Sequence, residues 1–395
     1  MLCRFHPRAA LAALLCAASG CAFAAPAAPS PEQQLFEGID QMRSGDADGA
    51  YMTLSTLTRE QPNFRLANLF YGELLAALSG APGDTLIENS ADPQLRDLAE
   101  EARLRLAAEK ATPAPGMLPS DILQLSPRDP YVIVVDLPKA RLYLLKNDAD
   151  GQMQLVRQQY AGMGRKGYGK QASGDLRTPL GVYHITRWIS KEKLPEIYGA
   201  GAFPLNYPNL WDQFKKRDGA GIWLHGVPPD TYVRAPRSSE GCVTMANDDL
   251  LALKPYITLG QTPVILSDDL KWEPEADLRE QRDAFLARIE DWRRKWSAKD
   301  TAGYLAYYGK DFTADGMNYA AFVAHKKRVN AAKKSITVKL RDINLFRYPG
   351  TNGDLMLAEF TLEYRSDNYS TTSQKQQFWK RDEKGQWKIF REENL

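Results

Sequence analysis

Cysteine is nearly absent from this chain, with four in 395 residues, at positions 3, 16, 21 and 242. Three of them fall in an opening stretch that reads as a secretory leader. Arg4 and Arg8 form its basic start, Ala9 to Ala18 a short apolar run, and Ala22-Phe23-Ala24 the small-x-small pattern of a cleavage site. The run is too short for a bilayer, so no transmembrane span is expected. Removal of residues 1–24 leaves Cys242 alone, which excludes an intramolecular disulfide. Exported proteins work in oxidising compartments and use cysteines in pairs. A single remaining thiol is therefore either a buried packing residue or a reactive group. A rival reading takes Ala18-Ser19-Gly20-Cys21 as a lipobox ending in a lipid-anchored Cys21, although alanine is a poor first residue for one. The expected location is the periplasm.

Excess charge of one sign is also missing. Taking Arg4 and Arg8 from the 51 basic side chains leaves 49 against 49 acidic ones. Nucleic-acid binders carry a clear basic excess, so a nucleic-acid partner is not expected. The remaining length of about 370 residues fits two or three domains.

Residues 33–109 read as helical. "LFEG" starts at Leu35 and "LFYG" at Leu69, 34 positions later, which is the tetratricopeptide period. Ala50, Leu54, Leu57 and Pro62 fall roughly where such a repeat places its second helix and its stop. Such a region is either a module for a protein partner or self-association, or a helical hairpin covering its neighbour. Residues 110–130 hold five prolines and read as a linker. Short β-branched runs separated by turn residues fill 131–268, a mainly β domain. Residues 275–395 read as a separate α+β domain. Phe285, Ile289, Trp292 and Trp296 recur there at helical spacing, and Met356, Ala358, Phe360, Leu362 and Tyr364 alternate as in a strand with one covered face.

The glycines at 162, 164 and 167 match G-x-G-x-x-G, but two more glycines and a proline follow where a dinucleotide site needs a helix. Chemistry is more plausible in "GIWLHGVPPDTYVRAPRSSEGCVTMAN". There a strand reaches His225, and the chain loops back to Cys242 seventeen positions later. A nucleophilic cysteine needs a nearby imidazole, because the thiolate is the reactive form. Gly241 permits a tight turn that bares the amides around Cys242 to an oxyanion. His6 leaves with the leader, His184 sits within a strand, and His325 lies in a basic helix. No metalloprotease spacing is present, so neither a metal nor a cofactor is expected.

These motifs, with "DLRTPLGVYHI" upstream and "DDLLAL" after "SSEGCVTMAN", resemble the L,D-transpeptidase catalytic domain (YkuD) family over about residues 130–268. The resemblance implies peptidoglycan stem peptides as substrate, Cys242 as nucleophile and His225 as base and later acid. It also implies that the Gly226 carbonyl orients the imidazole and that Ser239 and Gly241 frame the thiol. Arg237 is a candidate for a substrate carboxylate, and Tyr207 and Trp211 for the cleft walls. The chain departs from the family's common motif at Glu240 and Thr244, where histidine and arginine are usual. A carboxylate beside the thiol disfavours its ionisation unless Arg237 neutralises it. The version with glutamate is similar to a branch containing cell-shape L,D-carboxypeptidases of helical bacteria. Those combine a helical N-terminal region, this mainly β domain and a C-terminal α+β cone of the nuclear-transport-factor-like or SnoaL-like class, the multidomain fold expected here. The expected reaction is L,D-transpeptidation, in which an amine accepts the acyl group from Cys242. The alternatives are L,D-carboxypeptidation, in which water does, and a non-catalytic envelope scaffold.

Overall fold

The computed structural model describes residues 29–80, 92–148, 151–314 and 316–394; the leader and Cys21 lie outside them. Four helices come first: α1 Pro31–Ser44, α2 Ala47–Glu60, α3 Arg65–Leu78 and α4 Pro93–Lys110. Ser30 and Gln33 form a reciprocal capping box at the start of α1, and Gly45 ends it at φ 81°. Leu35, Leu54, Leu57, Phe64 and Leu74 make their common core. The starts of α1 and α3, Pro31 and Arg65, repeat the 34-residue period seen in the sequence.

This region covers its neighbour rather than standing apart. Arg105 on α4 is 2% exposed. Its guanidinium bonds Glu101 (2.8 Å) and Glu32, and lies 4.0 Å from the Tyr160 ring centroid. Glu32 also takes a hydrogen bond from Arg141 of the β domain (2.8 Å). Removing one member of such a buried cluster strands the others, at a cost of about 3–5 kcal/mol. Arg105→Ala is therefore expected to lower the melting temperature and expose α1–α4 to proteolysis. Melting curves with limited digestion check this.

The β domain is built on a five-stranded sheet in the order Met153–Tyr160, Arg141–Asn147, Tyr131–Asp136, Pro263–Ser267, Gly181–His184. "YVIVVD" is apolar throughout because both faces of its strand are covered. Ile133 and Val135 point into the core of the β domain, while Val132 and Val134 meet Phe346, Leu355, Leu357, Phe378 and Phe390 of the C-terminal domain. A second sheet, Val243–Thr244, Trp223–His225, Gly201–Pro204 and Ile189–Ser190, carries the thiol and the imidazole.

In the C-terminal domain the long helix Glu275–Ser297 buries the aromatic stripe read from the sequence. It packs on a sheet that includes Ile336–Arg347, Leu355–Ser366, Ser370–Arg381 and Trp387–Asn394. Met356, Ala358, Phe360, Leu362 and Tyr364 face that helix's core. The opposite face of their strand is also covered, since Leu355 and Leu357 press on the β domain. The proline-rich stretch is likewise more than a linker. Met117–Pro119 pairs with Trp272–Pro274, and Ile122–Gln124 adds an edge strand to the C-terminal sheet. Its prolines sit at ends and turns, where no ladder N–H is lost.

Candidate active site

Trp223–His225 runs parallel to Val243–Thr244, with Leu224 opposite Val243 and His225 opposite Thr244. That register sets Cys242 level with Trp223, on the face that carries His225, because side chains two apart on a strand share a face. Gly241 makes the turn at φ 129°; a β-carbon there would lie 2.8 Å from Arg177 O. The buried Ser239 hydroxyl donates to Cys242 O (2.6 Å) and accepts from Gly241 N (3.1 Å). The Gly241 amide is thereby occupied. The amide of Cys242 itself has no backbone acceptor among the described residues and is available to an oxyanion.

His225 is 3% exposed, and its Nδ1 donates to Gly226 O at 2.7 Å. That bond selects the tautomer whose Nε2 keeps its lone pair. Burial pushes the imidazole pKa down to about 4, with the positive charge of Arg234 adding to it and the Gly226 bond opposing. The Cys242 thiol is half-buried and donates to Gly221 O (3.3 Å). Burial pushes its pKa up to about 11; the Trp223 amide, Arg234 and Lys170 pull it down, while Glu240 pushes it up. Burial thus favours the neutral form of both the thiol and the imidazole over a preformed ion pair.

Gly226 is held by a side chain that sequence reading passed over. Asn247 Oδ1 accepts from Ala200 N (2.8 Å) and Val227 N (3.1 Å), and its Nδ2 donates to Val227 O (2.8 Å). A β-carbon on Gly199 or Gly226 would approach that Oδ1 to 2.2 or 2.1 Å. Three residues thus lock two loops together behind the imidazole. Asn247→Ala is expected to lower kcat/KM by about 10–100-fold, since small misplacements of a catalytic group cost that much. KM and kcat measured on a soluble substrate check it.

Other sequence candidates are placed differently. Arg237 is exposed and pairs with Glu100 of α4 (3.3 Å), so it does not neutralise Glu240. Glu240 instead meets Arg165 (3.1 Å) with its side chain 79% exposed. Tyr207 is buried, donating to Asp218 O (3.0 Å) and packing near Tyr183. Trp211 is buried against Tyr348 and Phe390, at the joint with the C-terminal domain. Both are packing residues, because the aromatic-rich loop that carries them is covered by a second domain. The wall beside His225 is Tyr198, whose ring lies 4.9 Å from the imidazole and 4.9 Å from Trp223. Its signal in the sequence is slight, an aromatic before Gly199 in "EIYGAG". His184 pairs with Glu359 (3.5 Å) across the domain joint.

A family model described as the L,D-transpeptidase catalytic domain (YkuD) matches residues 130–266, and one described as the Cds6 C-terminal NTF2-like domain matches 284–393. Among solved structures, Bd1075 of Bdellovibrio bacteriovorus is 31% identical, with a TM-score of 0.62; 71% of this chain and 99% of that one are covered. Pgp2 of Campylobacter jejuni, described as a helical cell shape determining protein, is 26% identical with a TM-score of 0.56, over 70% of this chain and 93% of that one. No curated protein sequence matches the chain. No helix among the described residues is long and apolar enough to cross a membrane.

Proposed function

The chain belongs to the L,D-transpeptidase catalytic-domain (YkuD) family, and on that premise we propose that it transfers acyl groups of peptidoglycan tetrapeptide stems through Cys242. The observation that carries this reading is the thiol at the head of the strand that pairs with the imidazole's strand, with Nδ1 committed to Gly226 O and Nε2 without a hydrogen-bond partner among the described residues. Sγ attacks the carbonyl of the diaminopimelate residue at stem position three while Nε2 of His225 takes the thiol proton. The carbonyl electrons move onto an oxyanion beside the Cys242 amide. As they return, the C–N bond breaks, and the imidazolium gives its proton to the nitrogen of the departing D-alanine. A thioester remains on Cys242. Water, deprotonated by His225, then releases a tripeptide and the free thiol. The enzyme would work in the periplasm, where its polymer lies.

Two observations favour water as the acceptor. The catalytic and NTF2-like domains occur together here, and the solved relatives are covered almost to their full length, one of them a cell shape determining protein. The loop between His225 and Cys242 is also covered by the helices, through Asn63 on Pro229 and Phe64 on Tyr232, which narrows the approach for a second stem. An amine acceptor, which makes the enzyme a transpeptidase, is favoured by Glu240, whose exposed carboxylate would have to exchange Arg165 for the ammonium group.

Incubation with disaccharide-tetrapeptide followed by mass spectrometry separates these readings. Tripeptide and D-alanine in equal amounts are expected. A cross-linked dimer would assign the amine, and neither product from folded protein would leave an envelope scaffold.

A further inference from the structure

Among the described residues six cations lie in the segments around the thiol, 163–178 and 221–247; Lys166 is exposed, and four others have their partners. Arg237 meets Glu100, Arg165 meets Glu240, Lys170 meets Asp175 (2.9 Å), and the exposed Arg177 donates to Tyr168 O (2.9 Å). Arg234 differs from all of them. It is half-buried, its Nη2 donates to the backbone oxygen of Ile197 (3.0 Å), and no carboxylate among the described residues pairs with it. A guanidinium carries five N–H donors arranged to match a carboxylate, so most of its capacity is unused.

The placement of Arg234 is fixed from several sides. Its own carbonyl accepts from Tyr160 Oη (3.0 Å), and that ring lies against Arg105. Two residues earlier, Tyr232 stacks on Phe64 of the helical region with centroids 4.2 Å apart. The bond to Ile197 brings the guanidinium beside Tyr198, the residue whose ring flanks His225. Its charge reaches both members of the pair, favouring thiolate at Cys242 and disfavouring imidazolium at His225. Burial lowers the guanidinium's own pKa, with Cys242 and Tyr198 opposing, so an anion placed there would relieve an unpaired, partly desolvated charge.

Resting on the reading that Cys242 expels the last residue of a stem, the anion has a definite position. The leaving residue carries its free α-carboxylate one residue beyond the carbonyl attacked, about 3.8 Å along the chain. A group that reads it must sit beside the thiol, on the side where His225 protonates the leaving nitrogen. We propose that Arg234 binds the free α-carboxylate of the departing residue, so that the enzyme requires a stem ending in a carboxylate and passes over one that is extended or amidated.

The test is a cycle of four affinities, measured calorimetrically on full-length Cys242→Ala protein. The ligands are disaccharide-tetrapeptide and its C-terminal amide, each with Arg234 intact and with Arg234→Gln. The acid should bind about 10–100-fold more tightly than the amide, the worth of a charge-assisted bond. Arg234→Gln should reduce the acid to the amide's affinity and leave the amide nearly unaffected. Arg234→Lys, with one point charge in place of the fork, should recover part of the preference. Equal weakening of both ligands, a preference that survives Arg234→Gln, or no binding of either ligand would overturn the proposal. Turnover by the unmodified enzyme separates this from the reaction itself. Acid-selective binding without tripeptide release would remove the reaction and keep the role of Arg234. Equal release of tripeptide from acid and amide would do the reverse.

Discussion

Cys242→Ala is expected to lose acyl transfer altogether, by at least about 10⁴-fold in kcat, because the covalent step has no other nucleophile. A carbapenem, which acylates through a strained carbonyl, should add once to the parent protein and not to the variant; intact mass measures both. Cys242→Ser should be nearly as inactive. The imidazole pKa is pushed down to about 4, which makes His225 a weak base. It suffices for a thiol whose proton leaves as the S–C bond forms, but not for the much less acidic serine hydroxyl. A serine variant with a tenth of the parent rate would show that the base is stronger than its burial allows.

His225→Gln should lower kcat/KM by about 10²–10⁴-fold, the usual worth of a positioned acid–base group. Glutamine keeps polarity at the site but takes no proton from sulfur and returns none to the leaving nitrogen. The pH dependence carries a second signature. His225 must be neutral to act, and its folded pKa lies below the ordinary value of 6.5. The acid limb of kcat/KM should therefore fall near pH 4, with activity level through neutrality and an alkaline limit set by the thiol near 11. The same shift affects stability. Between pH 6.5 and about 4 the unfolded chain binds a proton at this position that the folded chain refuses, so stability present above 6.5 declines as pH falls through that window. A limb at 6.5 in the kcat/KM profile, or one that persists in His225→Gln, would remove His225 from the role of base.

The parts of the site that were legible in the sequence are those held in one short stretch. Cys242, Ser239 and Gly241 belong to a single turn, and Gly226 is adjacent to His225, so the bonds that Ser239 makes around the thiol and Gly226 makes to the imidazole lie where the family motif implied them. Arg234, Tyr198 and Asn247 were not legible, because their roles arise where distant segments meet. Asn247 joins the loop at 199–200 to that at 226–227. Arg234 is set by Tyr160 and Ile197, 74 and 37 positions away. Arg237 looked like the reader of a carboxylate because it adjoins the motif, and nothing local announced that Glu100 on α4 would meet it. Trp211 was misread for a related reason. An aromatic next to a cleft and one at a domain joint look alike until the covering surface is known, and here it is supplied by Tyr348 and Phe390, more than a hundred residues later. The architecture was read more fully, since helical and strand periodicity are local and the aromatic stripe of the long helix lies where its spacing put it.

The central claim is that a stem peptide becomes attached to Cys242. Rapid acid quenching of the unmodified enzyme with disaccharide-tetrapeptide, followed by intact mass and peptide mapping, examines it directly, because thioesters survive acid. The account predicts one adduct per chain, with the mass of the substrate less D-alanine, on the peptide containing Cys242. An adduct on any other residue, or D-alanine released by Cys242→Ala at the parent rate, would contradict it.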